Sequence, residues 1–159
     1  MKTFIIVLVT FFMVNISTAM QEIEFIGDAT KYKNVDEILE GIPFKTVGLE
    51  AYEEIIKKGK VVVFLYDNFR PNGVNGWVAK LFKATVNDFP DISFLSIKYD
   101  KNIEYSKYNK LGFKTVPHYI FYVEGKNIFS EEGGPANEEE YLEFIDVMKW
   151  NLKELNNYE

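Results

Sequence analysis

The spacing of apolar residues predicts alternating strands and helices over most of the chain. A continuous run of β-branched and aromatic residues at 60–66 is typical of a central strand that is covered on both faces. Shorter apolar runs bounded by Gly, Pro or Asn predict further strands at residues 42–47, 92–99, 117–123 and 127–131. The last two are separated by a turn at Gly125, which predicts a hairpin.

Apolar residues at intervals of three and four predict four helices between and after these strands. They fall at residues 49–58, at 74–86, at 103–110 and after Asn137, which stands with Glu140 at the spacing of a helix-capping box. The predicted order is β-α-β-α-β-α-β-β-α. This order predicts an α/β fold of three layers, in which a central mixed sheet of four to five strands is flanked by helices.

The first residues predict an export signal. Lys2 precedes an apolar stretch at residues 4–14, and Ser17 and Ala19 are small residues at the spacing of a cleavage site. The stretch is too short to cross a hydrocarbon layer of about 30 Å comfortably. We therefore expect residues 1–19 to be a signal peptide, with an uncleaved membrane anchor as the alternative, and the protein to be exported to a periplasm, a secretory lumen or the medium.

After the signal, we expect an N-terminal extension at residues 20–41 and a single domain at residues 42–159. The net charge is −6, and no cluster of Lys or Arg stands out, which argues against nucleic acid or anionic lipid as the main partner. The chain contains no cysteine, so it has no thiol for redox chemistry, thioester formation or metal binding. We expect no metal and no cofactor.

Two motifs give the predicted order a resemblance to a known family. Residues 111–117 read Leu-Gly-Phe-Lys-Thr-Val-Pro and lead into an apolar strand, while Gly133 and Gly134 precede the last helix. The arrangement resembles the thioredoxin fold over nearly all of the domain. The resemblance implies a cis peptide bond before Pro117, and it implies that the backbone of Val116 pairs with an extended peptide. A trans proline at the start of an edge strand is the alternative.

The chain departs from that family where the family carries its redox chemistry. The resemblance places Arg70 and Gly73 at the two cysteine positions and Phe64 at the position of the buried acid. The nucleophile, the resolving thiol and the proton acceptor are all missing. Because disulfide exchange requires a thiolate, we expect no thiol–disulfide oxidoreductase activity.

Two side chains suggest other chemistry. His118 is the only histidine, and it is either an acid–base group beside a groove or, as we favour, a strand residue whose ring nitrogens are satisfied. Arg70 lies near a predicted helix N-terminus, and there it would bind a carboxylate or a phosphate. The simpler interpretation is that Arg70 is a loop residue whose side chain contacts solvent.

We therefore predict a non-catalytic module of the chaperone or scaffold kind that binds a protein or an extended peptide. The alternatives are a non-redox subunit of a larger exported complex and, less favoured, an enzyme that uses Arg70 and His118 on a small anionic molecule. The candidate binding residues are Phe69, Arg70, Pro71, Asn72, Gly73, Trp77, Thr115, Val116, Pro117 and His118.

Overall fold

The computed structural model describes residues 31–159. The predicted signal peptide and residues 20–30 of the extension lie outside the described residues. The compact unit begins at Tyr32 and ends at Glu159, so residues 32–41, which we expected in the extension, pack with the domain. Among the described residues, no helix is both long and apolar enough to cross a membrane.

The described residues form five strands and five α-helices. The strands are β1 (Phe44–Thr46), β2 (Lys60–Tyr66), β3 (Ser93–Lys98), β4 (His118–Val123) and β5 (Lys126–Glu132). The helices are α1 (Val35–Leu39), α2 (Leu49–Ile55), α3 (Val74–Thr85), α4 (Tyr105–Lys110) and α5 (Glu138–Asn157), and a 3₁₀ turn at Val86–Asp88 follows α3.

The five strands form one mixed sheet in the order β1-β3-β2-β4-β5. Strands β1 and β2 run parallel to β3, whereas β4 is antiparallel to both β2 and β5. Strand β2 is central, and every residue after Lys60 in it is buried, which explains its uninterrupted apolar sequence. The predicted fold class and the predicted order of elements are confirmed, and α1 is added before them.

Helix α1 contains too few residues for its apolar spacing to distinguish it from a loop. The side chain of Asn34 caps it by accepting a hydrogen bond from the Glu37 N–H at 3.0 Å. Val35, Ile38 and Leu39 are buried, and α1 packs against α3. The compact unit therefore begins with α1, because these three side chains have apolar surface to bury.

Aromatic rings fill both faces of the sheet. Alternate residues of β2 point to opposite faces. On one face the core is built around β2, β3 and β4 from Tyr52, Val61, Val63, Leu65, Leu95, Ile97, Tyr108, Phe113, Ile120 and Tyr122. On the other face Phe64 is buried, with its ring centroid 5.3 Å from that of Phe82 in α3 and 5.2 Å from that of Tyr66. The high aromatic content therefore belongs largely to the core.

Candidate functional site

The loop that follows β2 and the loop that precedes β4 lie side by side at one end of these two strands. They do so because β2 and β4 are antiparallel neighbours, with Leu65 of β2 opposite His118 of β4. Between the two loops lies a cleft of about 910 Å³, which we call the groove. It is lined by Asp67, Phe69, Arg70, Gly73, Val74, Asn75, Val116, Pro117 and Gly133.

The wall on the β4 side is built around a cis peptide bond between Val116 and Pro117. The Pro117 carbonyl accepts a hydrogen bond from the Gly133 N–H at 3.0 Å and from the Thr115 hydroxyl at 3.1 Å. The predicted cis bond is confirmed. Val116 is half-buried, and among residues 31–159 its backbone N–H and C=O form no hydrogen bond. This wall therefore presents an unpaired stretch of backbone at the groove.

The opposite wall is a closed turn between β2 and α3. The Asp67 N–H donates to Asn75 Oδ1 at 2.9 Å, and Asp67 in turn accepts from the Phe69 N–H at 3.1 Å. The Gly73 N–H donates to the Arg70 carbonyl at 2.8 Å, and Arg70 has a φ of 60°, an uncommon backbone conformation for a residue other than glycine. The turn leaves the Phe69 side chain 76% exposed.

The turn also packs closely on the first residues of α3, where Gly76 is buried. A Cβ atom on Gly76 would stand 1.6 Å from the Pro71 carbonyl oxygen, so no side chain fits there unless the backbone moves. This close approach packs the loop at Pro71 against the first turn of α3. It gives a physical reason for a glycine inside α3, where glycine is otherwise unfavourable.

Helix α1 is tied to the same wall through Asn68. The Val35 N–H donates to the Asn68 carbonyl at 3.2 Å, and the Asp36 N–H donates to Asn68 Oδ1 at 2.9 Å. The Asp36 carboxylate accepts hydrogen bonds from Tyr66, Asn68 and Lys98. Burial, followed by the hydrogen bond to Asp36, raises the pKa of Tyr66 above its ordinary value. The loop that follows β2 is thus hydrogen-bonded to α1 at Asn68.

Several predicted site residues do not line the groove. Asn72 and Thr115 are exposed, and Pro71 supports the loop from the side of Gly76. The Trp77 ring is half-buried against Tyr141, at a centroid distance of 5.5 Å. Trp77 lies in the first turn of α3, directly after the loop, but its ring points towards α5 and not into the groove.

His118 does not line the groove either, because its side chain is fully buried. The Lys114 N–H donates to His118 Nδ1 at 3.0 Å, so Nε2 carries the proton and donates to the Ser130 hydroxyl at 2.6 Å. Burial and the nearby charge of Lys114 lower the pKa of His118, while Glu132 opposes the shift. Both ring nitrogens are engaged, which favours the structural interpretation over an acid–base role.

The groove contains four residues that sequence reasoning did not assign to it, namely Asp67, Val74, Asn75 and Gly133. The two glycines before the last helix were a signal for Gly133, since they formed part of the resemblance. Nothing in the sequence marked Asp67 and Asn75 as groove residues, because single polar residues are common in and around loops. Among residues 31–159, no group of three or more His, Cys, Asp or Glu side chains is placed to hold a metal ion.

The sequence matches no protein-family model and no curated protein, whereas the structure is similar to several solved thioredoxins. Mitochondrial thioredoxin 3 from Saccharomyces cerevisiae has a TM-score of 0.53 at 17% identity, over 74% of this chain and 98% of that one. Thioredoxin from Trypanosoma brucei brucei has a TM-score of 0.51 at 13% identity, over 72% and 96% of the two chains. Thioredoxin f from spinach chloroplast has a TM-score of 0.50 at 18% identity, over 67% and 94%. At these identities the similarity establishes the fold, as the sequence motifs predicted.

Proposed function

Because the chain has the thioredoxin fold and no cysteine, we propose that it is a non-catalytic module that binds extended peptide segments in the groove, as part of an exported chaperone or scaffold. A peptide would pair with the Val116 backbone by strand addition and lay its side chains against Phe69. The observation that carries the proposal is the half-buried Val116, whose N–H and C=O have no hydrogen-bond partner among residues 31–159.

The exposed ring of Phe69 supports the same proposal. Its side chain is 76% exposed, and it lines the same groove as the unpaired backbone of Val116. Burying such a ring under a bound peptide contributes about 1.5–3 kcal/mol, while backbone hydrogen bonds give orientation. The groove thus offers both elements of peptide recognition.

Thiol chemistry is absent from this site. Arg70 and Gly73 lie in the groove at the positions that the resemblance assigns to the cysteine pair. Phe64, at the position of the buried acid, is fully buried and packs on Phe82. Nothing in this arrangement forms a thiolate or accepts its proton, so we expect a bound peptide to dissociate without any chemical change.

The binding proposal is tested with a fluorescein-labelled extended peptide and with a permanently unfolded, carboxymethylated model protein. Val116→Asp places a charge beside the unpaired backbone, and we expect it to weaken binding about tenfold or more. Val147→Asp is the matched control, because Val147 is an exposed valine of α5 outside the groove. Circular dichroism melting confirms that both variants remain folded.

Equal binding by the two variants would show that any peptide binds elsewhere, and the absence of binding by the natural chain would reject the proposal altogether. Export is a separate part of the proposal. It is tested by expression of the full chain and N-terminal sequencing of the secreted product, which we expect to begin at Met20.

A second candidate function is a subunit of a larger exported complex, and the outer face of α5 favours it. Trp150 is 61% exposed at the centre of this face, and Glu143, Asp146, Val147 and Glu154 lie within two turns of it. An exposed tryptophan on a helix face that carries both carboxylates and Lys153 suits a partner with an apolar pocket. Co-purification of one stoichiometric partner, lost on Trp150→Ser and retained on Val116→Asp, would favour this function over peptide binding.

A further inference from the structure

A second cavity lies on the other side of Phe69. It has a volume of about 520 Å³ and opens where the parallel strands β1, β2 and β3 end. We call it the Phe69 pocket. Its lining is mainly apolar and includes Val47, Leu49, Phe69, Ile97, Ile103 and Tyr108. Crevices at the carboxyl ends of parallel strands are common binding sites in α/β sheets.

The walls of the Phe69 pocket are held in place by the core beneath them. Ile97 and Tyr108 belong to the core cluster, and Val47, Leu49 and Ile103 pack against that cluster. The turn at the rim is fixed as well, because the Asp100 N–H donates to the Tyr108 hydroxyl at 2.9 Å and the Asn102 N–H donates to Asp100 Oδ1 at 2.8 Å. The pocket is thus formed before any ligand arrives.

The two cavities share Asp67 and Phe69 in their linings. Because Phe69 lines both cavities, a peptide that pairs with Val116 and packs on Phe69 has the Phe69 pocket within reach. Successive side chains of an extended peptide point to opposite sides, so alternate side chains face the protein. One of them would lie over the pocket while its neighbours stay in the groove.

We infer that the Phe69 pocket holds one large apolar side chain, such as Phe, Leu or Met, of the peptide bound in the groove, an inference that rests on the proposed function. The charges at the rim agree with a neutral occupant. Among the residues that line the pocket, Lys98 and Lys101 are matched in number by Asp67 and Asp100. The module is therefore selective for segments that carry a large apolar residue.

Gly48 permits a direct test of this inference. It lines the pocket, its φ of −83° is ordinary for any residue, and a Cβ atom there would meet nothing within 4 Å. Gly48→Trp is designed to occupy the pocket from a position that does not line the groove, and Gly48→Ser is the matched control. The ligands are two labelled extended peptides that differ only in having Phe or Ala at a central position.

We expect the natural chain and Gly48→Ser to bind the Phe peptide about tenfold or more tightly than the Ala peptide. Gly48→Trp should bind both peptides with the weaker affinity. Binding of both peptides with no preference for Phe, or a preference that survives in Gly48→Trp, would overturn the pocket inference and leave the proposed function intact. Failure of the natural chain to bind either peptide would overturn both.

The pocket is also tested without a peptide, using N-acetylphenylalanine amide as the probe in methyl NMR. We expect shifts at Leu49 and Ile103 that are lost in Gly48→Trp and kept in Gly48→Ser. The absence of such shifts at millimolar probe would overturn the pocket as an apolar site.

Discussion

Protonation of His118 should destabilise the folded domain. It is the only histidine in the chain, and histidine is the one side-chain type with an ordinary pKa between about 5 and 8. A proton on Nδ1 turns the acceptor of the Lys114 N–H into a second donor, at a separation of 3.0 Å. Leaving a buried group unsatisfied costs about 1–3 kcal/mol, and we expect the protonated ring to cost the fold that amount.

The sign of the pH dependence follows from the lowered pKa of the folded state. As the pH falls from about 7.5, the unfolded chain takes up the proton first, near the ordinary pKa of 6.5. Stability is therefore fully present above pH 6.5 and is lost as the pH falls through the pKa of folded His118. Burial raises the pKa of Glu131, which makes a contribution of opposite sign at lower pH.

The assay is urea unfolding, followed by tryptophan fluorescence, from about pH 7.5 to about pH 5. The comparison is with His118→Gln, whose amide keeps an acceptor and a donor but does not titrate. Between these pH values the natural chain should lose about 1–3 kcal/mol more unfolding free energy than the variant. The contribution of Glu131 is common to both and cancels. Equal losses in the two proteins would refute the role assigned to the His118 ring.

Three further changes test other parts of the structure by urea unfolding. Gly76→Ala should lower the unfolding free energy by about 1–3 kcal/mol and weaken peptide binding, because its Cβ collides with the Pro71 carbonyl; unchanged stability and binding would contradict the contact. Asn137→Ala should lower the unfolding free energy by about 1 kcal/mol, because it removes the acceptor of the Glu140 N–H at 3.0 Å. An unchanged unfolding free energy would show that Asn137 does not stabilise the start of α5. Lys80→Met should stabilise by about 1 kcal/mol at neutral pH, because burial lowers the pKa of Lys80 to about 8 and its amine has no hydrogen-bond partner among residues 31–159, and we expect this cost to exceed the favourable contact of Nζ with the Trp77 ring, 4.2 Å from the ring centroid. That gain should shrink as the pH rises from about 8 towards 10.5, and a gain independent of pH would argue against a buried charge.

The sequence by itself determined the elements whose identity depends on neighbouring residues. The apolar run at 60–66 predicted a central strand, and Asn137 with Glu140 predicted the start of the last helix. The absence of cysteine excluded thiol chemistry before any fold was known. These inferences hold because hydrophobic spacing and helix capping act within a few residues of chain.

Only the tertiary structure decided which loops form the groove and which side chains face it. Phe69 and Val116 are distant in sequence, and they line one groove because β2 and β4 are antiparallel neighbours. His118 follows Pro117 in the chain, but the alternation of the strand buries its ring against Lys114 and Ser130. The Phe69 pocket requires three strand ends and α4 together. Strand order and side-chain direction arise from long-range packing, which no local pattern in the sequence records.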